Sequence, residues 1–193
     1  MGGLRVTGGS LKGRSFAPSP DARTRYTSSK VRAAVFDLVG DVSGCLVLDL
    51  FAGSGSFTIE ALSRGASRAV CVEKDARTAA VLRANLGRLG LDKHCLVYNS
   101  DVRYALRMLA KRERPFGLVF MDPPYEMGYL TATLPWLMKG SLCDADTLVI
   151  VEHSKREEIP DSVEREYEVR QRRYGDTLVS LVTRGATAKG LNP

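Results

Sequence analysis

The chain has 193 residues, of which 44% are hydrophobic and 26% are charged, and its formal net charge of +6 permits a polyanionic partner. This composition is typical of a globular domain: no apolar run reaches the roughly 20 residues of a membrane-spanning helix, and the first residues lack an apolar stretch of signal-peptide length. The four cysteines form no CxxC pair, so we expect a cytoplasmic protein without a structural metal or a disulfide framework.

The first 40 residues differ from the rest in their predicted structure. Residues 4–7 and 11–16 predict two short strands, and Ser28 and Ser29 are good N-cap candidates for an amphipathic helix that follows them. We therefore expect residues 1–40 to form a small hairpin-and-helix extension of a main domain, residues 41–193.

Basic residues are concentrated in this extension. Residues 1–36 contain seven Lys and Arg and a single acid, Asp21. One interpretation is a solvated basic tail, and the other is a surface that contacts nucleic-acid phosphates beside an active site. The candidate phosphate contacts are Arg5, Lys12, Arg14, Arg25, Lys30 and Arg32.

From residue 45 onward, short apolar runs alternate with amphipathic helices. The apolar runs lie at residues 45–50, 69–73, 95–99, 116–121 and 147–152, and the helices at 56–64, 75–89, 101–110 and 128–139. This alternation is typical of βαβ units and of a parallel sheet covered on both faces. Residues 163–171 and 177–183 instead predict a hairpin. We expect an α/β fold with a mostly parallel seven-stranded sheet and a C-terminal antiparallel hairpin.

A glycine-containing turn follows the first apolar run. It has the sequence Asp49-Leu50-Phe51-Ala52-Gly53-Ser54-Gly55, and its glycines allow a ligand to approach the backbone closely. In an open α/β sheet, cofactors bind beyond the carboxyl ends of the strands, where this turn lies. Thr58 occupies the third glycine position of the dinucleotide fingerprint, which disfavours a nicotinamide or flavin. The alternative is a tight strand–helix turn without a ligand.

Two acids end the next two strands. Glu73 lies about 20 residues after the glycines, where a carboxylate accepts hydrogen bonds from ribose hydroxyls. Asp101 follows the third strand, where it favours a helix N-cap, a contact to an adenine amine, or both. An exposed strand-end acid is the alternative for Glu73. Taken with the glycine turn, both acids predict a nucleoside-containing cofactor.

The run Asp122-Pro123-Pro124-Tyr125 follows the fourth strand. Its prolines have no backbone N–H, so the backbone there can only accept hydrogen bonds. Asp122 adds another acceptor, and Tyr125 adds a flat ring. These acceptors can bind the N–H hydrogens of a base amino group while the base stacks on the Tyr125 ring. Such binding favours a pyramidal amino nitrogen and aims its lone pair at a methyl donor. An ordinary Pro-Pro turn is the alternative for the run in isolation.

In this order and on these strands, the motifs resemble the class I, Rossmann-like S-adenosylmethionine-dependent methyltransferases. The sequence Asp-Pro-Pro-Tyr at residues 122–125 is similar to the corresponding motif of the enzymes that methylate amino groups of DNA and RNA bases. Nearly the whole chain, from about residue 4 to 183, is further similar to the RsmD family. The similar segments are residues 4–14, 31–32, 35–36, 49–55, 59–66, 72–75 and 99–101. The chain departs from that family at residues 28–30, which are Thr-Asp-Arg there, and at Thr58, which is Gly there.

The resemblance implies a Rossmann-like fold, S-adenosyl-L-methionine as cofactor, and transfer of its methyl group to N2 of a guanine in 16S rRNA. It implies a monomeric cytoplasmic enzyme that needs no metal and acts on the small ribosomal subunit or an assembly intermediate, with the basic extension holding the rRNA. Asp122 and the carbonyl of Pro123 would orient the amine beside Pro124, and Tyr125 would stack on the base. The implied cofactor contacts are Asp49, Phe51, Ala52, Gly53, Ser54, Gly55, Glu73, Lys74, Asp101 and Val102.

Other functions remain open at this point. A DNA adenine-N6 or cytosine-N4 methyltransferase shares the motif at residues 122–125, but such an enzyme would carry a target-recognition insertion, for which 193 residues leave little room. A protein-glutamine methyltransferase has Asn where this chain has Asp122. A noncatalytic RNA-binding assembly factor with the same fold has no need for the acceptors of residues 122–125.

Overall fold

The computed structural model describes residues 3–20 and 28–185. Its N-terminal part consists of β1 (Leu4–Arg5), β2 (Ser15–Phe16) and α1 (Ser29–Val39). The two strands pair as an antiparallel hairpin that is shorter than predicted, because residues 8–13 form turns and bends between them. Ser28 caps α1 by accepting a hydrogen bond from the Val31 backbone at 3.2 Å. The predicted RNA contact at Arg25 lies outside the described residues.

Within the described residues, the main sheet has seven strands. They are β3 (Leu46–Asp49), β4 (Arg68–Glu73), β5 (Cys95–Asn99), β6 (Leu118–Met121), β7 (Leu148–Ser154), β8 (Glu168–Tyr174) and β9 (Thr177–Thr183). Their order across the sheet is β5-β4-β3-β6-β7-β9-β8. The first five are parallel, and β9 is antiparallel to both β7 and β8. This topology confirms the predicted sheet and its C-terminal hairpin.

Helices cover both faces of the sheet. They are α2 (Ser56–Ser63), α3 (Ala76–Leu89), α4 (Val102–Leu109), α5 (Tyr129–Lys139) and the short α6 (Asp161–Glu164). The core on one face includes Phe36 of α1, Ile59 of α2 and Leu82 of α3. The core on the other includes Leu106 of α4 and Leu134 of α5. Among the helices that the structure describes, none is long and apolar enough to cross a membrane.

The strand order places the two main motifs at one edge of the sheet. β3 pairs with β4 on one side and with β6 on the other, so the connections that leave β3 and β6 diverge. A crevice opens at such a switch point, beyond the carboxyl ends of the strands. Residues 49–55 begin at the end of β3 and residues 122–125 directly follow β6, so the fold brings both to this crevice.

Glu60 on α2 joins the N-terminal extension to the main domain. Its buried carboxylate accepts hydrogen bonds from the backbone N–H and the hydroxyl of Thr7, at 2.8 and 2.7 Å. It also pairs with Nε of Arg32 at 3.3 Å and with Nε of Arg64 at 2.9 Å. Burial raises the pKa of Glu60, but the hydrogen bonds from Thr7 and Arg64 outweigh it, so the pKa is lowered. The carboxylate is therefore ionised and shared by three elements of the fold.

The position of Arg32 corrects one prediction. We expected this side chain to contact RNA, but it is 0% exposed and lies between α1 and α2. Its guanidinium pairs with Glu60 and donates a hydrogen bond to the Arg5 carbonyl. A buried cation that compensates a buried carboxylate is a structural group, so Arg32 does not belong to the exposed basic surface.

The turn of the N-terminal hairpin also packs directly on α2. The backbone N–H of Ser10 donates to the Ser63 carbonyl at 2.7 Å. At Gly9, whose φ is +74°, a Cβ atom would lie 1.9 Å from that same carbonyl oxygen. Only glycine fits this approach, which explains Gly9 in the sequence.

Candidate active site

A cavity of about 660 Å³ lies at the carboxyl ends of the parallel strands. This volume is within the range of small-molecule sites, roughly 300–1,000 Å³. Four residues of the cavity wall are Asp122, Pro123, Pro124 and Tyr125. Eight of the ten predicted cofactor contacts also line it: Phe51, Ala52, Gly53, Ser54, Glu73, Lys74, Asp101 and Val102. The fold therefore brings the two sets of predicted residues to one cavity.

The glycine turn is shaped by its neighbours on β4 and α3. Gly53 has a φ of +54°, and its N–H donates a hydrogen bond to Glu73 Oε2 at 2.9 Å. Gly55, at φ +89°, is not part of the cavity wall. A Cβ there would lie 2.3 Å from the Leu82 side chain, so this glycine lets α2 pack against α3. Gly55 thus has a packing role, and its direct contact with a cofactor stays a prediction.

Asp49 lies beneath the turn instead of on the cavity wall. It is 2% exposed, and its Oδ2 accepts a hydrogen bond from the Thr58 hydroxyl at 2.7 Å. Thr58 thus uses its hydroxyl to satisfy a buried carboxylate, which explains a polar residue where the resembled family has glycine. Burial raises the pKa of Asp49 to about 6, and the nearby Glu73 carboxylate adds to this rise.

An Asp49→Asn variant should show the cost of this buried charge through its pH dependence. The pKa of Asp49 is about 6 in the folded chain, against 3.8 as the ordinary value, so folding favours the protonated form. Stability due to this group is present at low pH and is lost as the pH rises from 3.8 through 6. The melting temperature of the variant relative to the parent should therefore rise between pH 4 and pH 8. An equal difference at both pH values would contradict a raised pKa at Asp49.

Hydrogen bonds from backbone N–H groups hold the carboxylates of Glu73 and Asp101 at the cavity. Glu73 accepts from the N–H of Asp75 at 2.7 Å in addition to Gly53, and burial raises its pKa. Asp101 caps α4 by accepting from the N–H of Arg103 at 3.0 Å, and its other oxygen lies 3.3 Å from Lys74 Nζ. The Arg103 hydrogen bond is the main cause that lowers the pKa of Asp101. Asp101 is therefore an ionised acceptor at the cavity rim, as well as an N-cap.

The loop after β6 has a strained backbone. Glu126, next to Tyr125, has a φ of +59°, which is unusual for a residue other than glycine. Its carboxylate accepts a hydrogen bond from the Ser154 hydroxyl at 3.2 Å and lies 3.7 Å from Nη1 of Arg156. Such backbone strain is concentrated at ligand-binding and catalytic sites, and here contacts from the end of β7 hold it in place.

The ring of Tyr125 is fixed at its hydroxyl end. The hydroxyl donates to Glu152 Oε1 at 3.2 Å and lies 3.3 Å from the Thr177 hydroxyl. Burial, with the Glu152 charge as second cause, raises the pKa of Tyr125 well above its ordinary value, so the ring stays a neutral phenol. The ring thereby spans the crevice from the β6 loop to the C-terminal hairpin.

Several of these residues were not predicted from the sequence. Glu152 had one signal, because it is an acid at the end of an otherwise apolar run. Thr177 had none, since it reaches Tyr125 only through the pairing of β9 with β7. The cavity wall also includes Met127 and Tyr129, and the Tyr129 ring meets Phe51 edge-on at 5.5 Å.

The N-terminal extension reaches this cavity through Asn85 of α3. The buried Asn85 amide accepts from the N–H of Ala17 and donates to the Ala17 carbonyl, both at 2.8 Å, and it donates to the Ser54 carbonyl at 3.0 Å. The hydroxyl of Ser19 lies 3.1 Å from that of Thr78, another residue of the cavity wall. The chain that follows the hairpin therefore packs beside the glycine turn.

Comparison with known proteins agrees with this architecture. An Escherichia coli structure described as a candidate methyltransferase, yhhF, superposes with a TM-score of 0.80 at 31% identity, covering 96% of this chain and 100% of that one. An RNA methyltransferase from Salinibacter ruber, determined with S-adenosyl-L-homocysteine bound, has a TM-score of 0.63 over 88% of this chain and 100% of its own. Its identity is 19%, so this second likeness shows the shared fold alone.

Sequence comparison identifies the family. The family model described as Conserved hypothetical protein 95 matches residues 4–183. The Bacillus subtilis protein YlbH, named as a candidate rRNA methyltransferase, is 38% identical over 92% of this chain and 97% of its own. Ribosomal RNA small subunit methyltransferase D of Escherichia coli K12 is 34% identical over 82% of this chain and 79% of its own. Matches of this extent show that the chain belongs to the RsmD family of methyltransferases.

Proposed function

We propose that the chain transfers the methyl group of S-adenosyl-L-methionine to N2 of a guanine in 16S rRNA of the small ribosomal subunit. The main support is that the acceptor-rich run at residues 122–125 and the glycine turn form one cavity. The names of the relatives support ribosomal RNA as the substrate.

The cavity has the chemistry that this cofactor requires. Glu73 presents a carboxylate suited to ribose hydroxyls, and Asp101 presents an acceptor suited to an adenine amine. The apolar side chains of Phe51 and Val102 provide a surface for the adenine ring. When bound, the cofactor supplies a methyl group made electrophilic by a sulfonium. S-adenosyl-L-homocysteine should raise the melting temperature of the purified protein, and no shift would refute the assignment of this cavity.

The residues after β6 orient the base amine. The carboxylate of Asp122 and the carbonyl of Pro123 accept the two N–H hydrogens, which opposes delocalisation of the nitrogen lone pair into the ring. After the target base has flipped out of the base stack of the RNA, it stacks on the Tyr125 ring. Because the Tyr125 hydroxyl is held by Glu152 and Thr177, the ring is fixed before the base arrives.

Loss of this tether should slow the reaction without removing the stacking surface. A Tyr125→Phe variant keeps the ring but loses both hydroxyl contacts, each of which contributes on the order of 1 kcal/mol. We expect kcat/KM for rRNA methylation to fall about tenfold, in line with that energy. Glu152→Ala, which removes the acceptor of the Tyr125 hydroxyl, should show a similar loss. The double variant should lose little more, because both changes remove the same hydrogen bond. Additive losses would contradict a shared role.

We further propose that residues 1–40 form the RNA-contacting extension and residues 41–193 the cofactor-binding domain. Arg5, Lys12 and Arg14 are exposed on the hairpin, as is Lys30 on α1. Alanine at the three hairpin positions should weaken binding to a 16S rRNA transcript and lower the slope of log Kd against log [KCl] by about 2–3, since each lost phosphate contact lowers it by roughly 0.7–0.9. Unchanged binding would leave the hairpin a solvated basic segment.

The substrate is tested by nucleoside mass spectrometry of 16S rRNA from a strain that lacks the gene. We expect one N2-methylguanine per 16S rRNA to disappear and to return when the gene is restored. Genomic DNA from the same strains serves as the control, because loss of N6-methyladenine or N4-methylcytosine there would favour the DNA methyltransferase instead. An unchanged N2-methylguanine content would overturn the assignment of guanine N2.

A further inference from the structure

A second basic segment follows the glycine turn. Residues 73–114 contain ten Lys and Arg and five Asp and Glu, whereas residues 115–193 contain nine and twelve. Residues 37–72 contain two Lys and Arg and four Asp and Glu, so their charge of −2 and the −3 of the C-terminal part together cancel the +5 of the middle part. The net charge of the whole chain equals that of residues 1–36, so the total gives no indication of this second segment.

Part of this charge forms a continuous surface on α4. Arg103, Tyr104, Arg107 and Lys111 are all exposed, and Tyr104 is 69% exposed. The three cations are spaced four residues apart, and Tyr104 lies three residues before Arg107, which places them on one side of the helix and of the turn that follows it. With a rise of 1.5 Å per residue, the three cations extend over about 12 Å. The opposite side of the helix packs into the core through Val102, Ala105, Leu106 and Leu109.

The cations of this α4 surface form no salt bridge in the described part of the chain. In residues 3–20 and 28–185, no carboxylate oxygen lies within salt-bridge distance of Arg103, Arg107 or Lys111. The nearest acids in sequence pair elsewhere, because Asp101 lies 3.3 Å from Lys74 and Glu113 lies 3.4 Å from Arg68. The surface therefore presents positive charge that is not neutralised by side-chain ion pairs, together with one exposed aromatic ring.

We propose that the α4 surface is a second RNA-contacting surface, in which the three cations contact phosphates and Tyr104 stacks on an unpaired base. This inference rests on the proposed function. Cations along one side of a helix are the electrostatic pattern of nucleic-acid binding, and proteins recognise single-stranded RNA by stacking bases on aromatic and Arg side chains. Asp101 and Val102 at the start of α4 line the cavity. The α4 surface thus begins at the cavity rim, and α4 packs on the sheet face opposite that of the extension.

The test compares two triple variants with the same loss of charge. One has alanine at Arg103, Arg107 and Lys111. The control has alanine at Lys139, Arg165 and Arg170, which are exposed cations on α5, directly after α6 and on β8. With a 16S rRNA transcript, the α4 variant should bind about tenfold more weakly at 150 mM KCl, and its salt slope should fall by about 2–3. The control should retain most of its affinity, and equal losses in the two variants would overturn the proposal.

Tyr104 provides a readout that does not depend on charge. Tyr104→Ala should raise the Kd about tenfold with an unchanged salt slope, and Tyr104→Phe should restore binding, because stacking contributes about 1–3 kcal/mol per base. An α4 variant that binds the transcript normally but loses affinity for the assembled small subunit would assign the surface to a ribosomal protein and refute the RNA contact. A parent protein that binds no rRNA would refute the proposed function itself. If the parent methylates rRNA normally and the α4 variants bind the transcript as tightly as the parent does, only the proposed α4 surface would be refuted.

Discussion

Asp122→Ala should lower kcat for rRNA methylation by about 10²–10³, the loss typical when one group that stabilises a transition state is removed. The carboxylate lies on the wall of the cavity, on the loop that follows β6. Removing it deletes an acceptor for the base amine and leaves the glycine turn and Glu73 unchanged. Affinity for S-adenosyl-L-homocysteine, measured by calorimetry, should therefore stay within about twofold of the parent.

Asp122→Asn separates hydrogen bonding from charge. Asparagine keeps one carbonyl acceptor at the same position but cannot take a proton. If Asp122 acts by orienting the amine, the Asn variant should retain more activity than the Ala variant, with an unchanged pH profile. A fully active Ala variant would remove Asp122 from the mechanism.

Glu60→Ala should destabilise the fold by about 3–5 kcal/mol, because it leaves the buried Arg32 without its counter-ion. For a chain of this length, such a loss corresponds to roughly 6–20 °C in melting temperature. The same change removes both hydrogen bonds to Thr7, so the hairpin should also detach locally. Limited trypsin digestion should cut faster at Arg5, Lys12 and Arg14 than in the parent.

The double variant Glu60→Leu with Arg32→Met tests the cause of this loss. It removes both charges and fills the space with apolar atoms, and replacements of this kind are often neutral or stabilising. We expect it to recover most of the stability lost in Glu60→Ala, while the hairpin stays sensitive to trypsin. A double variant as unstable as Glu60→Ala would show that the Thr7 hydrogen bonds, not the buried charge, account for the loss.

The sheet was predictable because its signals are local. Each apolar run is bounded by turn residues, and the polar strand β8 with the short turn before β9 breaks the βαβ pattern within a few residues. The wall of the cavity was predictable for the same reason, since each motif directly follows a strand end. The number and order of such motifs limited the possible chemistry more than any one of them did.

Long-range partners were not predictable from local patterns. A cation near the N-terminus is usually solvated, and nothing close to Arg32 in the sequence indicates that Glu60, 28 residues later, makes it a core residue. The roles of Asp49 and Gly55 beneath the turn depend on Thr58 and Leu82 in the same way. The tether of Tyr125 to Thr177 requires knowledge of which strands pair, because 52 residues separate them.

The Asn85 amide has a consequence for the order of binding events. It holds Ser54 of the glycine turn and Ala17 of the extension at once, so neither segment can shift without weakening the other's hydrogen bonds. Ordering one segment lowers the entropic cost of ordering the other. Thermodynamic linkage then requires the coupling to be reciprocal. If a ligand at the extension strengthens binding at the turn by some free energy, a ligand at the turn strengthens binding at the extension by the same amount.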